Sequence, residues 1–226
     1  DPTPVVPRPN TPSPIVEIVV EEVPLSTTDP LLQHLLANVD RNAGAGFTDI
    51  QGHRAEKSIQ FVASLGLMEG VTKDKFAPNQ VLTRAMVVTV LARMVQALPG
   101  KHRFADVPTG SYYDAYVGWA FQNGIVVGRD PSRFDPHANI TREELAAILA
   151  RFVQKYPYKL TAEAAKGTYA DHASVSPFAR DAVKRLAAFG LFGPVEGKFN
   201  PKESVTRGEL AEVLKRLIVS HSATDK

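Results

Sequence analysis

The sequence contains no cysteine. That excludes a disulfide framework, thiolate zinc sites and a cysteine nucleophile. Long apolar runs are missing as well, and none approaches the ~20 residues of a membrane span. Charge of one sign is scarce in net terms: 26 Lys plus Arg against 24 Asp plus Glu leaves +2 over 226 residues. Such a balance makes no electrostatic case for nucleic acid, whose binders carry a basic stripe. The six histidines, His34, His53, His102, His137, His172 and His221, show no His-Glu-x-x-His zinc spacing. Walker-type glycine loops are absent, and no Asp/Asn-rich loop ends in the bidentate acid of a calcium site. No metal or cofactor is therefore expected. The chain has neither an initiator Met nor a signal peptide, and it is expected to be a mature product or a piece of a larger protein.

Hydrophobic residues make up 44%, ordinary for a globular chain. Proline is concentrated at the start, in Pro2, Pro4, Pro7, Pro9, Pro12 and Pro14. Proline at that density fixes φ and removes donors, so residues 1–28 read as an extended, semi-rigid linker or arm. The β-branched run at 15–23 reads as a short strand or part of that arm. A helix is predicted over 29–42, with Asp29 as cap, Pro30 at the first helical position and Leu31, Leu32, Leu35, Leu36 and Val39 on one face. It forms a leading unit, 29–46, whose apolar face must pack on the remainder of the chain.

Residues 47–218 form a threefold repeat. An aromatic and an Asp two residues on open each copy: Phe47 and Asp49, Phe104 and Asp106, Tyr169 and Asp171. A helical stretch then reaches Gly66, Gly124 or Gly190, each placed where a glycine ends a helix. Phe-x-Pro comes next, at Phe76, Phe134 and Phe199, and Thr-Arg comes seven residues after each Phe, at 83–84, 141–142 and 206–207. Ile59, Val62 and Ala63 of the first helix match Val117, Ala120 and Phe121, then Val183, Leu186 and Ala187. The second helix repeats its stripe as Val87, Val90, Leu91 and Met94, as Leu145, Ile148, Leu149 and Phe152, and as Leu210, Val213, Leu214 and Leu217. A helix with one apolar stripe cannot stand alone. The expectation is one all-α domain of three helix-loop-helix repeats, bounded at 47–98, 99–160 and 161–220, with a tail at 221–226.

Thr141-Arg142-Glu143-Glu144 reads as a capping box, and Thr206-Arg207-Gly208-Glu209 repeats it. Thr83-Arg84-Ala85-Met86 lacks the acid and is half a box. Capping explains Thr83, Thr141, Thr206, Glu144 and Glu209, but not the arginines, because a cation at a helix N-terminus opposes the macrodipole. Two readings of Arg84, Arg142 and Arg207 stand open: ion pairs with Asp49, Asp106 and Asp171, or an anion site formed by guanidinium, free amides and dipole together. Trp119, the one tryptophan, reads either as buried between repeats or as a sugar-stacking platform.

Phe-x-Asp-Val-Pro at 104–108, Trp119-Ala120, Gly124 with Gly128, Phe-x-Pro and Ile-Thr-Arg-Glu-Glu at 140–144 together resemble S-layer homology (SLH) domains, over residues 47–218. Repeat three departs at Tyr169-Ala170-Asp171-His172 and in the displaced Gly193, and repeat one at Met86. The resemblance implies a pseudo-threefold, three-lobed helical bundle whose inter-lobe grooves bind secondary cell wall polysaccharide, often through pyruvylated N-acetylmannosamine. It implies that Arg84, Arg142 and Arg207 meet the ligand carboxylate and that Gly66, Gly124 and Gly190 line the grooves. Trp119 matches the family's helix tryptophan, and Asp49, Asp106 and Asp171 match its opening acid. This favours the anion reading of the arginines. Repeat two is the most typical, so Arg142→Ala is expected to weaken binding most.

The expected function is a non-catalytic anchor at the bacterial cell surface, carried by a larger S-layer or surface protein. A second reading keeps the family but has the module tether an outer membrane or surface protein to polyamine-modified peptidoglycan, favouring Glu144 and Glu209 over the arginines. A glycan-cleaving enzyme would need two carboxylates facing one bond, and Glu143 and Glu144 are adjacent on a helix. No catalytic residue is expected.

Overall fold

The computed structural model describes residues 29–222, apart from 38, 41, 157, 159, 161–168, 195 and 196. The proline-rich segment and the run at 15–23 lie outside the described residues. The fold is all-α. Its helices are α1 (Pro30–Ala37), α2 (Glu56–Ser64), α3 (Arg84–Met94), α4 (Asp114–Gln122), α5 (Arg142–Lys155), α6 (Arg180–Ala188) and α7 (Arg207–Ser222). Two 3₁₀ turns, His172–Ser174 and Pro177–Ala179, lead into α6.

Helix pairing is between repeats. The second helix of each repeat packs on the first helix of the next: α3 on α4, α5 on α6, and α7 back on α2. Each apolar stripe is thereby covered by a neighbour, and the three repeats share one core. Phe76, Phe134 and Phe199 are fully buried in it, as are Ile59, Val117, Leu186, Leu91, Leu149 and Leu214.

The pairing closes into a ring at the residue before each Thr-Arg. Leu82 donates its amide to Val205 (2.9 Å), Val205 to Ile140 (2.9 Å) and Ile140 to Leu82 (3.0 Å). Isolated antiparallel bridges flank this triangle, joining Val81 to Thr206, Thr83 to Asn139 and Thr141 to Ser204. Among the described residues no longer strand forms, because each repeat supplies only a residue or two of extended backbone before its helix begins.

The first helix of each repeat stops in the same way. Gly66, Gly124 and Gly190 adopt φ of 68°, 68° and 64°. Each donates to the carbonyl three residues back, and the next residues, the buried Leu67, Ile125 and Leu191, donate to the carbonyl five back. This is the Schellman pattern, which requires a left-handed residue at the turn.

Two boundaries differ from the sequence pattern. Helix α1 ends at Ala37 rather than 42, and Asp40 instead donates its amide to the Ser64 carbonyl at the end of α2 (2.9 Å). Its Leu32 and Leu35 are buried, and Asp29 at its start lies 3.2 Å from His221 of α7. At the other end α7 continues through Ser222, and His221 is buried. The stretch read as a tail from 221 therefore begins inside the last helix.

Gly118 sits mid-helix in α4, where alanine is ordinarily better by about 1 kcal/mol. Here the linker after repeat one presses its backbone onto the helix, and a Cβ on Gly118 would collide with the Gly100 carbonyl. Gly118→Ala is expected to destabilise the domain by about 1–3 kcal/mol, as overpacking does, in urea unfolding.

Candidate functional site

Each Thr-Arg corner is capped by its threonine. Thr141 Oγ1 accepts from the Glu144 amide (3.4 Å), and Glu144 Oε2 accepts from the Thr141 amide (3.1 Å). Thr206 and Glu209 repeat the exchange at 3.3 and 2.9 Å. Thr83 accepts from the Met86 amide (3.3 Å), and the methionine has nothing to return.

The first-turn amides are not free. Arg84 N donates to Ala138 O and Ala85 N to Pro136 O; Arg142 N to Glu203 O and Glu143 N to Pro201 O; Arg207 N to Gln80 O and Gly208 N to Pro78 O. The loop after each Phe-x-Pro therefore fills the helix N-terminus of the repeat before it. This corrects the expectation that free amides would join the guanidinium in an anion site.

The arginines clamp the same loops. Arg84 Nε donates to Phe134 O (2.9 Å), Arg142 Nε to Phe199 O (2.6 Å) and Arg207 Nε to Phe76 O (2.8 Å). Each guanidinium carbon also lies over the ring of that phenylalanine, at 4.9, 5.1 and 4.4 Å from its centroid. Carbonyl and ring face together offer a favourable seat for a cation away from bulk water. That seat accounts for a positive charge at a position the dipole disfavours.

The aspartates hold the other side of the loop and do not pair with the arginines, so the ion-pair reading is also corrected. Asp49 accepts from the amides of Phe76 (2.9 Å) and Ala77 (2.8 Å), Asp106 from Phe134 (2.9 Å) and Asp135 (2.7 Å), and Asp171 from Phe199 and Asn200 (both 2.8 Å). The middle residue of each Phe-x-Pro is left-handed: Ala77, Asp135 and Asn200 have φ of 59°, 65° and 56°. The carboxylate offsets the strain of that conformation by binding the amide of the left-handed residue and the amide of the phenylalanine before it. Burial pushes the Asp49 and Asp171 carboxyls up, but the two amides and a nearby lysine hold each below the ordinary value.

What remains for a ligand is the outer face of each guanidinium, and here the three differ. Arg142 Nη1 donates to Glu209 Oε1 (3.0 Å) and Nη2 to Gly193 O (3.3 Å). Arg207 Nη2 donates to the Glu69 carbonyl. The terminal nitrogens of Arg84 make no hydrogen bond among the described residues, although the residue is only 6% exposed. Burial pulls the Arg84 guanidinium below the ordinary arginine value, with Glu144 opposing; it does the same to Arg207, with Asp49 opposing.

Among the described residues, grooves open at two of these corners. Arg84 lines one of about 270 Å³ with Val127, Gly128, Arg129, Glu144, Arg151 and Phe178. Arg142 lines one of about 80 Å³ with Arg54, Glu209, Glu212 and Arg216. Gly66, Gly124 and Gly190 line neither; they end helices. Trp119 is 4% exposed and donates its indole N–H to the Tyr156 hydroxyl (3.0 Å). Its ring face is packed away, which corrects the sugar-platform expectation.

Arg129, Arg151 and Phe178 were not singled out in the sequence. Glu144, Ile148 and Arg151 fall on one helical stripe at offsets of four and seven, a signal that could have found Arg151. Phe178 comes from the third repeat, and nothing local predicts that it reaches this groove.

A family model described as the S-layer homology domain matches residues 46–85, 103–146 and 168–211. Similar proteins include an amylopullulanase of Thermoanaerobacterium thermosulfurigenes, 30% identical over 76% of this chain and 9% of its own length. A surface-layer 125 kDa protein of Lysinibacillus sphaericus is 28% identical over 80% of this chain and 15% of its length. A cellulosome-anchoring protein of Acetivibrio thermocellus is 27% identical over 52% of this chain and 28% of its length. The chain thus spans less than a third of each of these relatives.

The aspartate cradles predict a sign for pH dependence. A carboxyl depressed in the folded state adds stability above its unfolded pKa of about 4, and that stability is lost as pH falls through the folded value. Replacing Asp49 and Asp171 together by Asn is expected to lower the melting temperature at pH 7 and flatten its decline below pH 4. Thermal melts across that range read both effects, and profiles parallel to wild type would contradict them.

Proposed function

The chain belongs to the S-layer homology domain family, and from that premise we propose that it is a non-catalytic wall anchor whose inter-repeat grooves bind an anionic secondary cell wall polysaccharide. Domains of this family anchor proteins to the bacterial cell wall, which puts the chain at the cell surface. The proposed ligand is an acidic sugar of the pyruvylated N-acetylmannosamine type.

The observation that carries the reading is the set of guanidiniums at the seams between repeats, seated on carbonyls and aromatic rings. A buried cation is costly unless it is paired, and Arg84 has no ion-pair partner within 4 Å among the described residues. A ligand carboxylate would meet that need with a charge-assisted, bidentate contact.

The names of the relatives support an anchor rather than a reaction. An amylopullulanase, a surface-layer protein and a cellulosome-anchoring protein each match part of this chain, although their names describe different proteins. A larger parent surface protein is proposed on the same ground. Glu143 and Glu144 point apart: Glu143 accepts from Ser176 and pairs with Lys202, whereas Glu144 accepts from Thr141 and pairs with Arg129. They do not face a common bond.

Co-sedimentation with cell walls carrying a pyruvylated polymer, before and after chemical stripping of that polymer, tests the function. Binding is expected to native walls and to vanish on stripping, and Arg84→Ala is expected to weaken it at least tenfold. Binding that survives stripping would move the ligand to peptidoglycan, and absence of binding to both would remove the anchor reading.

A further inference from the structure

Resting on the wall-anchor reading, we infer that the ligand is seated in the Arg84 groove, where Arg151 is a second anion contact and Phe178 is the platform under the sugar ring. The three seams are related by the repeat, but their chemistry is not equal. In the Arg142 groove the guanidinium is already answered by Glu209, which Arg54 also approaches at 3.4 Å. At the third seam Arg207 is tied to the Glu69 carbonyl. Neither leaves an arginine head waiting for an anion.

The Arg84 groove does. Three guanidiniums, of Arg84, Arg129 and Arg151, face one carboxylate, Glu144, and that carboxylate is engaged by Arg129 and by the Thr141 amide. Arg129 also lies 3.8 Å from Asp135. Arg151 is half-buried and makes no hydrogen bond or ion pair among the described residues. Two guanidiniums without an ion-pair partner among the described residues therefore line one groove, so the ligand that fits is anionic at the point where it enters.

Phe178 supplies the other half of the recognition. The residue is 58% exposed, one of few large apolar residues left in water among those described, and it lines this same groove. An aromatic face beside a cationic groove suits a sugar ring, whose C–H face is apolar and whose substituents are polar. At about 270 Å³, just under the ~300–1,000 Å³ of drug-sized sites, the groove suits one substituted sugar residue rather than several. First, second and third repeats all contribute, through Arg84, through Arg129 and Arg151, and through Phe178. The site needs all three repeats.

Titration calorimetry of the full chain with pyruvylated N-acetylmannosamine and with the unsubstituted sugar tests the inference. Neither Phe178 nor Arg151 belongs to the buried core. Phe178→Ala and Arg151→Ala are each expected to lower affinity for the acidic sugar tenfold or more. Arg151→Ala is also expected to reduce the preference for the acidic over the neutral sugar, whereas Phe178→Ala weakens both alike and leaves that preference intact. Lys184→Ala removes an exposed cation outside the groove and is expected to change nothing. If wild type binds while Arg151→Ala and Phe178→Ala bind equally well, the seat is elsewhere and the inference falls, leaving the anchor reading standing. If wild type binds neither sugar nor the native walls, the anchor reading falls and the inference with it.

Discussion

Leu82, Val205 and Ile140 pass their amides around a closed triangle, each to the carbonyl of the next. Little in the domain is independent of that ring. The residue after each corner of the triangle is a capping threonine, and the residue after that is the arginine that reaches into a neighbouring repeat. With the triangle open, a helix N-terminus would lose the loop that fills it, an arginine would lose its carbonyl, and a Phe-x-Pro loop would be held by its aspartate alone. Burial runs around the same circle, because α3, α5 and α7 each cover the first helix of the next repeat. No repeat is complete in itself, which distinguishes this ring from an open solenoid where repeats add one at a time.

Much of this was legible in the residues. The spacing of Asp, Gly, Phe-x-Pro and Thr-Arg set the register of three copies, and offsets of three and four marked the buried faces of six helices. What the residues did not disclose is which partner each repeated group finds. Arg84, Arg142 and Arg207 bind carbonyls 50, 57 and 131 positions away, and local pattern carries no information at that range. The same limit explains the aspartates, which looked available to the arginines but bind amides 27 to 29 residues on. Trp119 misled for a related reason. Its spacing in α4 left its outer side open to either reading, and its burial is decided by Tyr156 and by the linker at Gly100. The overlong reading of α1 came from an apolar pattern that runs on to Val39, past the end of the helix at Ala37 and up to the point where Asp40 turns onto α2.

The pseudo-threefold plan yields seams that are alike in backbone and unlike in charge. The third position of the capping turn carries most of that difference: Met86, Glu144 and Glu209 occupy it in turn. Glu209 reaches the arginine of the preceding repeat and satisfies it. Glu144 turns to Arg129 and leaves Arg84 without a hydrogen-bonding acid. Met86 offers Arg207 no acid at all, and that arginine takes a carbonyl instead. One scaffold interaction, guanidinium on carbonyl and ring, is therefore constant, whereas the outer face of the guanidinium varies with a single neighbouring residue. Structure and recognition are separated within the same side chain.

Native-state hydrogen exchange at the amides of Leu82, Ile140 and Val205 tests the closed ring most directly. Global unfolding sets the upper limit for such protection, and local openings fall below it. If the ring is the constraint on which the domain depends, the three amides exchange with one common free energy, equal to that of global unfolding measured in denaturant. Exchange of any one of them through a cheaper local opening, with Trp119 still in its native fluorescence environment, would contradict it.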